Sequence, residues 1–151
     1  GTGAVTVVGN LAFSRSDAVT VSNAVSGAGT VGKLGSNTLT LTGAQTYSGA
    51  TDIAAGSLVF QNDVAPTTPS FTGAGAVAIE PASTSFTSAL TSNYTYANTL
   101  TGVRLGKEGN AKNITSTSAI RRGCAARGGA CSAQLGSSHH ASSIRPVAGS
   151  P

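Results

Sequence analysis

Short strand-like patterns recur about every 20 residues in this sequence, and this spacing is the strongest constraint on the fold. Each pattern alternates apolar with small or polar residues, as a strand with one buried face does. A constant step does not suit a meander of hairpins, in which neighbouring strands reverse direction. It favours a parallel β-solenoid, in which equivalent strands of successive coils stack about 4.8 Å apart. The apolar pairs predicted to face inward, each one repeat after the last, are Val19/Val21, Leu39/Leu41, Leu58/Phe60 and Val77/Ile79.

A second, looser series of apolar residues accompanies these pairs. It runs through Leu11, Val31, Ile53 and Phe71, with a step that varies more from one member to the next. Glycine and asparagine lie between the strand patterns, where a solenoid needs tight corners. Threonine and valine dominate and helix signals are scarce, so the sequence predicts an all-β solenoid of five to six coils over residues 1–117.

The segment GAGTVGKLGSNTLTLTGAQTYSGATDIAAGSLVF, Gly27–Phe60, resembles the autotransporter-associated β-strand repeat. The matching positions include Gly27, Gly29, Lys33, Gly35, Thr38 to Gly43, Thr46, Tyr47, Gly49, Thr51, Gly56 and Leu58. The segment departs from the repeat at Gln45, where the family often has Asn, and residues 1–26 and 61–117 match less closely. The resemblance implies a right-handed β-solenoid from the exported passenger of a large Gram-negative surface protein. Such passengers include adhesins, hemagglutinin-like proteins and spacer stalks.

The resemblance also sets the expected function and location. We expect a structural or adhesive segment at the cell surface or secreted, tethered through its parent to the outer membrane, with no catalytic role, cofactor or metal. Its expected partners are a glycan or protein of a host surface or matrix, and further copies through the open solenoid ends, with no nucleic acid. The alternative is a carbohydrate-active β-helix enzyme or a tailspike-like fragment. The sequence opens with GTGAVTVVGN and shows no signal segment, so we interpret it as a fragment.

The glycines of Gly27–Gly35 also fit a phosphate-binding loop. Gly27, Gly29 and Gly32 match G-x-G-x-x-G, and Lys33 follows the last of them. Such a loop works where a strand leads into a helix N-terminus. Here a turn and another strand follow, and Leu34 replaces the magnesium-binding Ser or Thr. We therefore interpret these glycines as corner residues.

Two exposed-face motifs have alternative interpretations. Thr38, Thr40 and Thr42 form an outward row such as ice-binding solenoids use, but the equivalent positions of other coils are Thr20/Ser22, Val59/Gln61 and Ala78/Glu80, so the rank is broken. Tyr94 and Tyr96 alternate and share a face. They predict either a sugar-stacking platform or, more in keeping with such rows, a cover over the core.

Carboxylates could support glycan cleavage if two of them lay within about 5–10 Å. The candidates are Asp52, Asp63, Glu80 and Glu108. Asp63 and Glu80 are separated by less than one full repeat, so they are out of register, and no basic partner is expected beside them. The sequence therefore predicts no catalytic residue.

Residues 118–151 form a low-complexity basic tail without the repeat. Residues 1–120 hold five basic and five acidic residues, so the net charge of +4 comes from Arg121, Arg122, Arg127 and Arg145, a weak basis for nucleic-acid binding. Cys124 and Cys131 are separated by six residues, against about two to four in structural zinc sites, and His139 and His140 follow. We predict disorder here rather than zinc or a disulfide, and hypothesise out-of-frame translation, which the coding DNA would decide.

Overall fold

The computed structural model describes residues 3–108, 110–116 and 133–135. Every regular element of these residues is a β-strand, and every strand pair is parallel. The chain visits three faces in turn and then repeats the circuit one layer further along. The predicted all-β parallel solenoid is confirmed, with about six turns.

Each face is a stack of strands taken from successive coils. Face 3 is a six-stranded sheet formed by β3 (Val19–Val21), β6 (Thr38–Leu41), β8 (Ser57–Gln61), β10 (Ala76–Glu80), β13 (Gly102–Leu105) and β15 (Ala133–Leu135). Face 2 is a five-stranded sheet formed by β2 (Asn10–Phe13), β5 (Thr30–Lys33), β7 (Thr51–Ile53), β9 (Ser70–Gly73) and β12 (Thr95–Tyr96). Face 1 has two pairs, β1 (Val5–Thr6) with β4 (Val25–Ser26), and β11 (Leu90–Ser92) with β14 (Ile114–Ser116).

Two apolar columns run through the interior behind face 3. One follows Val19, Leu39, Leu58, Val77 and Val103, and the other follows Val21, Leu41, Phe60, Ile79 and Leu105, each in strand register. The inner members of both columns are buried, as the alternation predicts. All four inward pairs read from the sequence are therefore confirmed. Counting the coils by their strands on face 3, coil 4 ends with β10 and coil 5 with β13, whose Val103 and Leu105 add a fifth pair.

The register of face 2 differs from the predicted apolar series at one coil. Thr51, not Ile53, pairs with Val31 and Phe71, while Ile53 pairs with Lys33 and Gly73. Thr51 is fully buried, and its hydroxyl lies 2.6 Å from the Tyr47 hydroxyl. A hydroxyl that has a hydrogen-bond partner can occupy an interior position. Thr51 therefore takes the place that the apolar series gave to Ile53.

Coil 5 is longer than the coils before it. Along face 3 the register step is nearly constant from Val19 to Val77, and the next step, from Val77 to Val103, is clearly longer. Residues 81–89, between β10 and β11, form a corner loop tied to its neighbours by side chains. Ser83 donates from its backbone N and its Oγ to Asp63 Oδ1 at 2.8 and 2.9 Å, and Ser85 Oγ donates to Asn110 Oδ1 at 2.9 Å.

Polar side chains at the corners donate hydrogen bonds to the coil before them. Asn62 Nδ2 donates to Thr42 O at 2.8 Å, and Thr67 Oγ1 donates to Tyr47 O at 3.0 Å. Four further donor–acceptor pairs follow this direction: Asn23 to Gly3 O, Asn37 to Asp17 O, Thr68 to Gly49 O and Thr99 to Gly73 O. This corner ladder satisfies carbonyls that no strand reaches and joins successive coils.

The predicted domain boundary at residue 117 lies outside the described residues. Within the predicted tail, Ala133–Leu135 pairs in parallel with β13. The predicted disorder of the rest of 118–151, and the hypothesis of out-of-frame translation, lie outside the described residues.

Candidate functional site

The glycine-rich stretch Gly27–Gly35 forms a strand between two corners and not a phosphate loop. β5 begins at Thr30, directly after Gly29, where a phosphate site would need a helix. Gly27 has a φ of 107°, and a Cβ there would lie 2.2 Å from the Val7 carbonyl oxygen. Only glycine lets the neighbouring coil approach this closely, so the corner interpretation is confirmed for Gly27. It was wrong for Gly32, which lies within β5.

Lys33, which the sequence analysis considered only in the phosphate-loop pattern and in the repeat match, is a buried lysine. It ends β5 on the inward side, in register between Phe13 and Ile53, and it is 1% exposed. Its Nζ donates to Asn37 Oδ1 at 2.9 Å, to Ala55 O at 3.2 Å and to Gly35 O. Burial lowers the pKa of the Lys33 ammonium. The sequence does contain a signal for the burial of Lys33: it lies two positions after Val31, so the two side chains point to the same side of the strand.

The outward threonines do not form a continuous rank. Thr40 pairs with Thr20 in the coil before it and with Val59 in the coil after it. The same column then continues through Ala78 and Arg104. The broken rank read from the sequence is therefore the arrangement in the structure, and the hydroxyls lie on an ordinary solvated strand.

The four candidate carboxylates lie apart, in separate local contacts. Asp52 Oδ1 accepts a hydrogen bond from Thr72 Oγ1 at 2.9 Å. Asp63 accepts hydrogen bonds from Ser83 of the corner loop, and these hold the pKa of its carboxyl below its usual range. Glu80 pairs in register with Gln61 and not with Asp63, as the spacing predicted. Glu108 is exposed.

Glu80 has a basic partner, and the expectation that it lacked one was wrong. Arg104 Nη1 lies 2.6 Å from Glu80 Oε2, and Gln61 Nε2 donates to Glu80 Oε1 at 3.0 Å. The two charges are further apart in sequence than one ordinary repeat, and the long coil 5 brings them onto adjacent strands. A repeat of regular length after coil 4 would not place Arg104 beside Glu80, so the sequence did not predict this pair.

Arg104 also borders a shallow groove on the outer side of face 3. Its volume is about 290 Å³. Small side chains form its floor, which lies in β8 and β10; the lining side chains on this outer side are Thr38, Ser57, Val59, Ala76, Ala78 and Arg104. The groove thus combines an aliphatic floor with hydroxyls and one ion pair at its edge.

The tyrosine pair covers the core and does not form an exposed platform. Tyr94 is buried, with its ring centroid 5.3 Å from that of Phe71, and its hydroxyl donates to Pro66 O at 2.7 Å. Tyr96 stacks on Phe71 at 5.7 Å and its hydroxyl lies 2.8 Å from Ser92 Oγ. Burial raises the pKa of Tyr94, and that of Tyr96 to about 12. Of the two interpretations, the core cover is correct.

Two further features are the possible metal ligands and the possible membrane-spanning helices. Within the described residues no three His, Cys, Asp or Glu side chains gather to hold a metal ion. Cys124, Cys131, His139 and His140, and with them the zinc and disulfide alternatives, lie outside those residues. No helix in the described part of the chain is long and apolar enough to cross a membrane.

Stacked parallel coils with a continuous apolar interior define a β-solenoid repeat protein. Residues 32–60 match the family described as the passenger-associated-transport-repeat. This match confirms the resemblance read from Gly27–Phe60. The repeat and the solenoid together fit the passenger domain of an autotransporter, which is an exported surface protein. Comparison with curated proteins and with solved structures gave no match.

Proposed function

We propose that this chain is a structural and adhesive segment of a passenger, displayed at the surface of a Gram-negative bacterium, without a catalytic role. The observation that carries the proposal is the continuity of the two interior columns. Leu39, Leu41, Leu58 and Phe60 are each at most 1% exposed and stack directly on one another. A stack in which every coil bonds to the next is stiff along its axis, which suits a spacer.

The carboxylate side chains also support a structural role, because they connect neighbouring coils. The side chains of Asp52, Asp63 and Glu80 each bond to a residue of a neighbouring coil. Their hydrogen bonds therefore join coils and are not directed toward a common point where a substrate would react. This dispersal favours a stalk over a β-helix enzyme.

The adhesive part of the proposal concerns the outer surface of face 3. Its groove offers small aliphatic side chains and hydroxyls together with Arg104. These groups suit weak contact with a glycan or a protein of a host surface or matrix. No cofactor or nucleic acid has a role in this proposal.

The first coil supports a second kind of contact, between copies. Phe13, Val19 and Val21 are half-buried, whereas Leu39 and Leu41 above Val19 and Val21 are fully covered. These half-buried apolar side chains favour self-association of copies through this coil.

Binding assays test the proposal directly. The whole chain should bind matrix proteins or a glycan array weakly, and this binding should weaken in Arg104→Gln while resistance to protease is unchanged. Equal binding by the variant, with the fold intact, would refute a contact at the groove and leave a pure stalk.

The Glu80–Arg104 pair beside the groove is the one observation that favours the alternative, a carbohydrate-active enzyme. In that case the whole chain would release reducing ends from a polysaccharide, and Glu80→Gln would abolish the release. Absence of cleavage across a panel of acidic and neutral polysaccharides is the result that the structural proposal requires.

A further inference from the structure

Lys33 occupies an interior position that the two adjacent coils give to apolar residues. Phe13 lies below it and Ile53 above it on face 2. No carboxylate of the described residues forms an ion pair with it; the ion pairs there join Arg15 to Asp17 and Arg104 to Glu80. A buried lysine without an acidic partner needs another source of stabilisation.

Three oxygen atoms supply it. Lys33 Nζ has three contacts, to Asn37 Oδ1 at 2.9 Å, to Ala55 O at 3.2 Å and to Gly35 O. A protonated amine has three N–H donors and no acceptor, so the number of donors equals the number of acceptors. A neutral amine would turn its lone pair toward one of these oxygens. The contacts therefore match the ammonium form.

The corner that holds the ammonium is built from three coils. Gly35 and Asn37 belong to the corner that follows β5, and Ala55 belongs to the corner of the next coil. Asn37 Nδ2 donates to Asp17 O in the coil before, which fixes the amide so that Oδ1 points at Lys33. Gly35 lies so close to that coil that a Cβ would be 2.0 Å from Arg15 O.

Lys33 runs against the direction of the corner ladder, as does Ser85 Oγ, which donates forward to Asn110. The ladder side chains donate to the preceding coil, whereas Lys33 Nζ reaches forward to Ala55 O. Together with Asn37, it links the coils on both sides of its own.

We propose that the oxygens of Gly35, Asn37 and Ala55 form a binding site for a primary ammonium group, which the chain fills with its own Lys33. The site recognises N–H donors and not positive charge alone. When the lysine side chain is removed, the site takes a free primary alkylammonium ion in its place, and the three coils regain their connection.

The test replaces the side chain and restores the group from solution. Lys33→Ala in the whole chain should be digested by protease about tenfold faster than wild type or more, because hydrogen bonds to a charged group are lost. Millimolar propylammonium should slow this digestion, whereas tetramethylammonium, which carries the same charge without an N–H, should not. The matched control is Lys112→Ala, at an exposed lysine, which should behave like wild type in every solution.

A second measurement on the wild-type chain decides the matter even if Lys33→Ala does not fold. In a brief treatment with an amine-acylating reagent, mass spectrometry should find Lys33 modified far more slowly than Lys107 and Lys112. Equal labelling of the three lysines would overturn the proposal. So would wild-type protease resistance of Lys33→Ala, or equal protection of a folded Lys33→Ala by the two ammonium ions.

Discussion

Leu41→Asp is the sharpest test of the interior columns. Leu41 is fully buried and pairs in register with Val21 on one side and Phe60 on the other. These neighbours are apolar and their side chains offer no hydrogen bond to a carboxyl group. The substitution therefore removes apolar contact and introduces a polar group at one position.

The cost can be estimated from these two effects. Truncating a buried leucine costs about 3–5 kcal/mol, including the cavity that is left. An aspartate there must stay protonated near neutral pH, about three units above its ordinary pKa, which adds roughly 4 kcal/mol. The sum is comparable to the whole stability of an ordinary domain, about 5–15 kcal/mol. We expect the coils around Leu41 to unfold, since each coil depends on its neighbours.

The assay is protease resistance and thermal unfolding of the whole chain, with Thr40→Ala as the matched control. Thr40 is the adjacent residue on the outer side of β6, half-buried, and its loss should cost under about 1 kcal/mol. If Leu41→Asp melts within a few degrees of wild type, the interior column does not hold the coils together and the argument is wrong. A collapse of Thr40→Ala would equally contradict it, because that outer position would then carry stability.

Two further predictions concern the corners and the buried phenols. Gly49→Ala should destabilise the fold by about 1–3 kcal/mol, because its Cβ would lie 2.2 Å from Gly29 O; Gly9→Ala, with open space around the new Cβ, is the control in thermal unfolding. Stability should also fall as the pH rises from about 10 to 12. Burial raises the pKa of Tyr47 and Tyr96 to about 12, so the folded chain keeps protons that the unfolded chain loses. A urea midpoint that does not change across this range would contradict the burial of these hydroxyls.

The interior behind face 3 could be predicted from the sequence because its pattern is purely apolar. Val19, Leu39, Leu58 and Val77 are spaced as their register requires, and strand alternation fixes which side chains point inward. Face 2 was less predictable because Thr51 is inside by virtue of a hydroxyl contact. Such a contact depends on how the corner between Tyr47 and Thr51 folds, which a search for apolar residues does not show.

The same limit explains the polar features that were missed. Lys33 lies inside because oxygens from its own coil and the next surround its amine, and lysine is usually an exposed residue. Arg104 meets Glu80 because coil 5 has a longer circuit. For the ion pair, the deciding information is the length of a corner, which strand periodicity does not encode. For Lys33, strand alternation indicates the inward direction, but it does not show which oxygens would receive the ammonium group.

The corner ladder makes the two sides of a coil chemically different. Side chains such as Asn62 and Thr67 donate toward lower residue numbers, so each layer offers carbonyl acceptors on one side and amide or hydroxyl donors on the other. A contact between two copies that continues this pattern must be head-to-tail, with all strands running the same way. Such a heterologous contact has no two-fold axis, and it does not close on itself when the rotation between copies is small. End-on association would therefore build a polar filament of undefined length instead of a symmetric dimer.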